Sequence, residues 1–323
     1  MILQSAAAIV AGFALLAWGA DRFVLGAAAT ARNLGVSPLV VGLTIVGFGT
    51  SAPEMLVSAV ASWQGQPGLA IGNAIGSNIT NVALVLGVTA IVRPLVVRSD
   101  ILRRELPILL LIMVLGLALI LDGELNRGDG LMLVFGLAVM IYWVVGLGLR
   151  SRRTDPISRE FDHEMPHRMS TKRALAWLAV GLLVLSVSSR LLVWGAVNIA
   201  TALGVSDLVI GLSIVAVGTS LPELAAAVMS ALKNEHDIAI GNVIGSNMFN
   251  LLGVMAMPGL FAPGPISAEV LDRDYPLMIA LTVGLFLMAY GVGGRPGRIN
   301  RLEGGALSAV FVAYLYMLYR MAL

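Results

Sequence analysis

The chain repeats itself at a fixed interval. Residues 42–54 read GLTIVGFGTSAPE and residues 211–223 read GLSIVAVGTSLPE; residues 70–81 read AIGNAIGSNITN and residues 239–250 read AIGNVIGSNMFN. Glu54 and Glu223, Gly72 and Gly241, and Asn81 and Asn250 are each 169 positions apart, and the register runs without a gap from Gly26/Gly195 to Pro107/Pro276. A duplicated apolar half, with a charged and Gly/Pro-interrupted segment at corresponding places, is the pattern expected of a secondary transporter.

Apolarity fixes the solvent. Hydrophobic residues make up 58% of the 323 and charged residues 12%, about half the share of a soluble domain (~25%). Apolar stretches of roughly 17–25 residues, each able to cross a hydrocarbon core of about 30 Å, are predicted at 5–23, 38–63, 69–93, 105–121, 130–149, 173–194, 207–232, 238–258, 276–291 and 304–321. The expected fold is therefore an all-α polytopic membrane protein of ten transmembrane helices. Five helices per copy is an odd number, so the copies face opposite ways and form two inverted five-helix repeats. Residues 1–149 make the first, with motifs at 42–54 and 70–87. Residues 173–323 make the second, with motifs at 211–223 and 239–256, and 150–172 is a polar linker too short for a folded domain.

Charge placement orients the chain. With both termini outside, all the Lys and Arg except Arg127, Arg190, Arg273 and Arg320 fall on the cytoplasmic side, the 150–172 linker among them, as the positive-inside rule requires. The pI near 9.1 thus reflects topology and implies no nucleic-acid partner. The N-terminus lacks a basic n-region and runs straight into a span, so it reads as a first helix and not as a cleaved signal. Multi-pass insertion in a cell inner (plasma) membrane is expected, with the lipid bilayer as the surrounding partner and no protein partner implied.

Glu54 and Glu223 lie deep within apolar spans, where a carboxylate costs at least about 2.5–3.5 kcal/mol. Equivalent positions of an inverted repeat bring the two together at the midplane. Pro53 and Pro222 lack an N–H and free the carbonyls of Gly49 and Gly218, loosening the turn; backbone unwound at membrane depth is tolerated only where it lines a cavity. Two carboxylates, backbone carbonyls and the hydroxyls of Thr50, Ser51, Thr219 and Ser220 make an all-oxygen set suited to hard cations such as Ca²⁺. The absence of cysteine, with His163, His167 and His236 in predicted loops, argues against zinc or copper. In G-N-x-I-G-S-N-x-x-N, Asn73, Ser77 and Asn81 recur every four residues along one helix stripe, as do Asn242, Ser246 and Asn250. Gly72/Gly76 and Gly241/Gly245 form small-residue seams for close helix packing. Asp21, Arg190, Arg104/Arg273 and Glu105/Asp274 read as span-end or interfacial charges.

These motifs resemble the two α-repeats of the calcium:cation antiporter superfamily, in particular prokaryotic sodium/calcium exchanger-like proteins, and the resemblance covers the whole chain. It implies Glu54 and Glu223 as shared ligands of Ca²⁺ and competing Na⁺, and oxygens from Thr50 and Thr219. It further implies hydroxyls from Ser51, Ser77, Ser220 and Ser246, carbonyls from Gly47 and Ala216, and Asn81 and Asn250 at the centre. Several relatives carry Asp at one or both central positions; here both are Asn, so the fixed charge is −2 with both glutamates ionised. The function expected is antiport of Ca²⁺ against Na⁺, with Ca²⁺/H⁺ exchange as the alternative and a passive cation channel behind both. No cofactor is expected beyond the transported ions. No G-x-S-x-G motif is present, and the H-E-x-x-H spacing occurs only as HEMPH at 163–167, in the polar linker and with Pro166 inside the turn that would have to be helical, so the chain is not expected to be an enzyme.

Overall fold

The computed structural model describes residues 2–35, 38–65, 67–97, 102–150, 169–202, 216–289 and 297–321. Most of the 150–172 linker and the first part of the predicted 207–232 span lie outside the described residues. Helices follow one another along the chain: α1 (Ile2–Leu34), α2 (Pro38–Val41), α3 (Gly47–Trp63), α4 (Pro67–Thr80), α5 (Gly87–Val92), α6 (Leu102–Ile120) and α7 (Arg127–Arg150). They continue with α8 (Thr171–Ala202), α9 (Ala216–Thr219), α10 (Leu221–Leu232), α11 (His236–Phe249), α12 (Ala256–Phe261), α13 (Tyr275–Ala289) and α14 (Arg301–Met321).

π-helical turns join several of these pieces. Gly42–Val46 links α2 to α3, Asn81–Leu86 links α4 to α5, and Asn250–Val254 follows α11. The last two begin on the repeat-related asparagines. Such wide turns are rare and concentrate at functional sites.

The predicted ends of the outer helices needed correction. α1 does not stop at residue 23 but runs 33 residues to Leu34, about 50 Å at 1.5 Å per residue. Arg22 and Arg32 therefore ride on a helix that outreaches a ~30 Å hydrocarbon core, and are not in a loop. Its counterpart α8 continues to Ala202 in the same way. The Ala-rich stretch after Phe23 favours helix strongly enough to carry its few charges.

α1 and α8 pack against each other antiparallel, and their contacts obey a local twofold. A Cβ on Gly26 would lie 2.7 Å from the Ala174 carbonyl oxygen and 3.0 Å from Leu178 Cα; one on Gly195 would lie 2.8 Å from the Ser5 oxygen and 2.9 Å from Ile9 Cγ1. Gly195, Ala174 and Leu178 are the repeat equivalents of Gly26, Ser5 and Ile9. Only glycine permits so close a backbone approach.

At the centre, the helical runs Pro67–Val92 and His236–Phe261 are buried along most of their length, whereas α1, α7, α8 and α14 keep largely exposed apolar faces. Leu3, Phe135, Tyr142, Leu183 and Val312 are among these outward side chains. Exposed apolar surface on that scale is suited to lipid.

Two short antiparallel pairings depart from a purely helical fold. Leu95–Val97 pairs with Gly297–Ile299, and Glu124–Leu125 with Gly264–Pro265. Each joins a segment of the first copy to one of the second, satisfying backbone groups that the intervening loops would leave open.

The helix ends carry reciprocal caps. Asn126 Oδ1 accepts from the Asp129 N–H (3.1 Å) while Asp129 Oδ2 accepts from the Asn126 N–H (2.8 Å); Asn300 and Glu303 do the same at 3.0 and 2.7 Å. These are capping boxes that start α7 and α14. They stand 174 residues apart, not 169, so the second copy has gained five residues before its final helix.

Candidate functional site

Helix α11 crosses the π turn Gly42–Val46 and the start of α3 at backbone contact. A Cβ on Gly47 would meet Gly245 C and Ser246 N at 3.1 Å, and one on Gly42 would meet the Ile238 oxygen at 3.0 Å. This explains the glycine seam on the Gly241/Gly245 side. Close approach brings the polar stripe of α11 onto the G-T-S segment.

Thr50 is the hub of that crossing. Its hydroxyl, with one proton to give, lies 3.1 Å from each of two acceptors, Asn242 Oδ1 and the Val46 carbonyl, and 3.3 Å from Ser246 Oγ. Ser246 Oγ donates in turn to the Gly47 carbonyl at 3.4 Å. Thr50 also lies beside the Glu223 carboxyl, and the Glu54 and Glu223 carboxyls are within electrostatic reach of each other.

Glu54 sits on α3 and Glu223 in the first turn of α10, each 1% exposed. The α9–α10 helix is interrupted at Ser220, two residues before Pro222, as the sequence predicts. α3, by contrast, continues unbroken through Pro53, and the irregular stretch of that segment is the π turn at Gly42–Val46. Backbone loosening thus falls at different points in the two copies.

Asn73 Nδ2 donates to the Glu54 carbonyl (3.2 Å) and Asn242 Nδ2 to the Glu223 carbonyl (3.5 Å). Each asparagine thereby ties the glutamate's backbone to the neighbouring helix of its own repeat. The four-residue periodicity exposed these two residues, although their role is to hold the glutamate segments in place.

The remaining candidates are buried as well: Ser51, Ser77, Asn81, Ser220, Ser246 and Asn250. Ala216 and Thr219 lie on the backbone of α9, and their side chains are outside the described residues. Six buried oxygens at the site have no hydrogen-bond partner among the described residues: Ser51 and Ser220 Oγ, Glu54 and Glu223 Oε2, Asn81 and Asn250 Oδ1. They form three repeat-related pairs. An unpartnered buried oxygen costs about 1–3 kcal/mol, and buried polar groups are otherwise paired almost without exception. Oxygens are the donor type that a hard cation takes, six to eight at a time for Ca²⁺. Among the described residues no group of three or more His, Cys, Asp or Glu gathers, so the charge available is that of two carboxylates.

Sequence reasoning passed over Asn78 and Asn247, the middle asparagines of the two G-S-N-x-x-N motifs. Both are fully buried and link the repeats: Asn78 Nδ2 donates to the Asn247 carbonyl (3.3 Å), and Asn81 Nδ2 to Asn247 Oδ1 (3.0 Å). Their exact repetition in the motif was the available signal; they fell off the four-residue stripe that was followed.

The charges read as interfacial are more deeply engaged than expected. Asp274 accepts two bonds from Arg273 (2.7 and 3.0 Å) and one from Tyr314 Oη (2.9 Å), and Glu105 is fully buried. Asp21 pairs with Lys233 at 2.7 Å, linking α1 to the turn after α10.

Buried oxygens on equivalent positions of a duplicated, largely apolar helical chain are what a membrane cation transporter requires. Comparison with known proteins specifies the family. The profile described as sodium/calcium exchanger protein matches residues 4–146 and 173–320, so the chain belongs to the sodium/calcium exchanger family of cation antiporters. It is 47% identical to CaxA of Alkalimonas amylolytica over 96% of this chain and 97% of that protein. It is 40% identical to the inner membrane protein YrbG of Escherichia coli (strain K12) over 98% of each. Among solved structures, the sodium-calcium exchanger NCX_Mj, soaked with Na⁺ and Ca²⁺, superimposes with a TM-score of 0.83 at 34% identity, covering 98% of this chain and 99% of that one. The protein is a multi-pass integral membrane antiporter.

Proposed function

We propose that this protein exchanges Ca²⁺ for Na⁺ by alternating access at a midplane site. Glu54, Glu223, Ser51, Ser220, Asn81 and Asn250 supply its unpartnered oxygens, and Thr50, Thr219, Ser77, Ser246, Gly47 and Ala216 complete the shell. The six lone oxygens in three repeat-related pairs are the observation that carries this reading. The supporting architecture is ten helices in two inverted five-helix repeats, 1–149 and 173–323, with both termini outside and the 150–172 linker in the cytoplasm of a cell with this protein in its inner membrane. The twofold relation of the Gly26 and Gly195 contacts supports it.

The same oxygens serve both ions, so Ca²⁺ and Na⁺ compete, and alternation couples their fluxes. A ligand shifts a conformational equilibrium only by its differential affinity for the two states; coupling requires that the loaded carrier crosses and the unneutralised one does not. Two ionised glutamates in a low-dielectric site supply that condition, since one Ca²⁺ or two Na⁺ cancel their charge.

A second reading, Ca²⁺/H⁺ exchange, draws on the same pair. Asn81 and Asn250 add no charge, so protons on the two glutamates neutralise the site as fully as cations do. Proteoliposomes loaded with Na⁺ and assayed for ⁴⁵Ca²⁺ uptake distinguish the two. Uptake is expected with an outward Na⁺ gradient and loss of it in Glu54→Gln and Glu223→Gln. Uptake driven by a pH gradient without Na⁺ selects proton exchange, and wild-type uptake in both variants removes the site altogether.

A further inference from the structure

The geometry assigns to Asn247 the task of orienting Asn81 so that a carbonyl oxygen, and not an amide NH₂, is offered to the ion; this rests on the cation site proposed above. A primary amide is two-faced. Its oxygen ligates a cation, whereas its NH₂ carries two donors and repels one. Asn81 therefore serves a metal only if something fixes which end faces the site.

The bond from Asn81 Nδ2 to Asn247 Oδ1, 3.0 Å long and fully buried, does this. It occupies the NH₂ end of Asn81 and leaves Oδ1 as the atom without a partner. Flipping the amide would set two carbonyl oxygens against each other and strand two donors in a dry interior, where unmade bonds cost most. Since Asn247 comes from the second repeat, the second half helps to set a ligand of the first.

The donor side of Asn247 is idle: its Nδ2 has no hydrogen-bond partner among the described residues. Asn78, its repeat equivalent, is used the opposite way. Asn78 Nδ2 donates to the Asn247 carbonyl and to Met278 Sδ (3.4 Å), and it is Oδ1 that has no partner. Identical residues at identical places in the motif thus work as an acceptor in one copy and a donor in the other. Replacing each by aspartate, which keeps the shape and the acceptors but removes the donors, separates these roles.

The test is ⁴⁵Ca²⁺ uptake and Na⁺ competition in proteoliposomes, with thermal unfolding in detergent as the folding control. Asn247→Asp keeps the acceptor for Asn81 and adds negative charge one residue away from the ion. It is expected to lower the half-saturating Ca²⁺ concentration at least threefold and to raise the Na⁺ needed for half-inhibition. Asn247→Leu releases the Asn81 amide and is expected to raise half-saturation at least tenfold. Asn78→Asp loses both donated bonds and is expected to unfold at lower temperature with weaker uptake. A purely structural role for Asn247 predicts that Asp harms as Leu does. Half-saturation for Asn247→Asp above the wild-type value, wild-type behaviour of Asn247→Leu, or tightening by Asp at both positions overturns the assignment. Glu54→Gln runs in parallel: its full activity would sink the cation site itself, whereas its loss of uptake beside an unchanged Asn247→Leu would sink only the orienting role.

Discussion

The crossing of α11 over the π turn Gly42–Val46 makes Gly245→Ala the most informative single change. A Cβ at Gly245 would lie 2.8 Å from Leu43 Cα and 2.9 Å from Leu43 C, nearer still to the Leu43 oxygen, and every one of these is a backbone atom. No rotamer can relieve the clash, so the two segments must part by at least ~0.6 Å to reach ordinary contact near 3.4 Å. The bonds spanning the same crossing have no slack: Thr50 to Asn242 at 3.1 Å, Thr50 to Ser246 at 3.3 Å and Ser246 to the Gly47 carbonyl at 3.4 Å. A parting of that size takes all three past the ~3.6 Å at which a hydrogen bond ceases to be one. Overpacking costs about 1–3 kcal/mol and each lost bond about 1 kcal/mol. The two hydroxyls have one proton each and make two of these bonds at a time, and alanine recovers about 0.5–1 kcal/mol of helix stability, leaving a net loss of roughly 2–4.5 kcal/mol. Gly284→Ala is the control, because a Cβ there meets nothing within 4 Å and only the helix gain remains. Thermal unfolding of both variants in detergent, with ⁴⁵Ca²⁺ uptake, reads the difference. If Gly245→Ala unfolds as late as Gly284→Ala and transports like the wild type, the crossing does not hold the site.

Two other outcomes follow from charge. Glu235 is buried in the turn between α10 and α11, and burial, reinforced by Asp237 and offset by Arg32 and Lys233, pushes its carboxyl up to about 7. The folded protein then holds a proton that the unfolded chain releases, so stability is greatest below pH ~4.5, falls by roughly 2–3 kcal/mol as pH rises toward 7 and levels off above it; Glu235→Gln should abolish the slope of unfolding temperature between pH 5 and 7. With Asn at both 81 and 250, two Na⁺ neutralise the site and a third leaves one positive charge at membrane depth, which costs several kcal/mol; Na⁺-driven Ca²⁺ uptake should therefore be insensitive to a K⁺/valinomycin potential, and strong potential dependence would mean that the third ion is carried.

What the sequence disclosed and what it hid divide along a physical line. Two glutamates in an apolar segment are conspicuous because lipid makes them expensive, and a 169-residue register is conspicuous because it recurs. Helix existence followed from apolar length, and the break near Pro222 from the missing N–H. The course of α1 beyond residue 23 stayed hidden, since a charge near a span end marks where lipid stops and not where a helix does. The cross-copy strand pairs at Leu95–Val97 and Glu124–Leu125 were equally silent, being only two or three residues long. Above all, an exact repeat predicts equal roles for equivalent residues, and side chains meeting across a pseudo-twofold cannot all honour it. When two asparagines face each other, one must give a hydrogen where the other receives it. Asn78 and Asn247 divide in that way, and Thr50 gathers bonds from α11 while Pro53 and Pro222 leave their helices continuous in one copy and broken in the other. Under the alternating access proposed above, a duplicated backbone offers two arrangements of comparable energy, and asymmetry in these side-chain bonds is what would select between them. Alternating access then needs only a cation able to repay those bonds as well in the second arrangement as in the first.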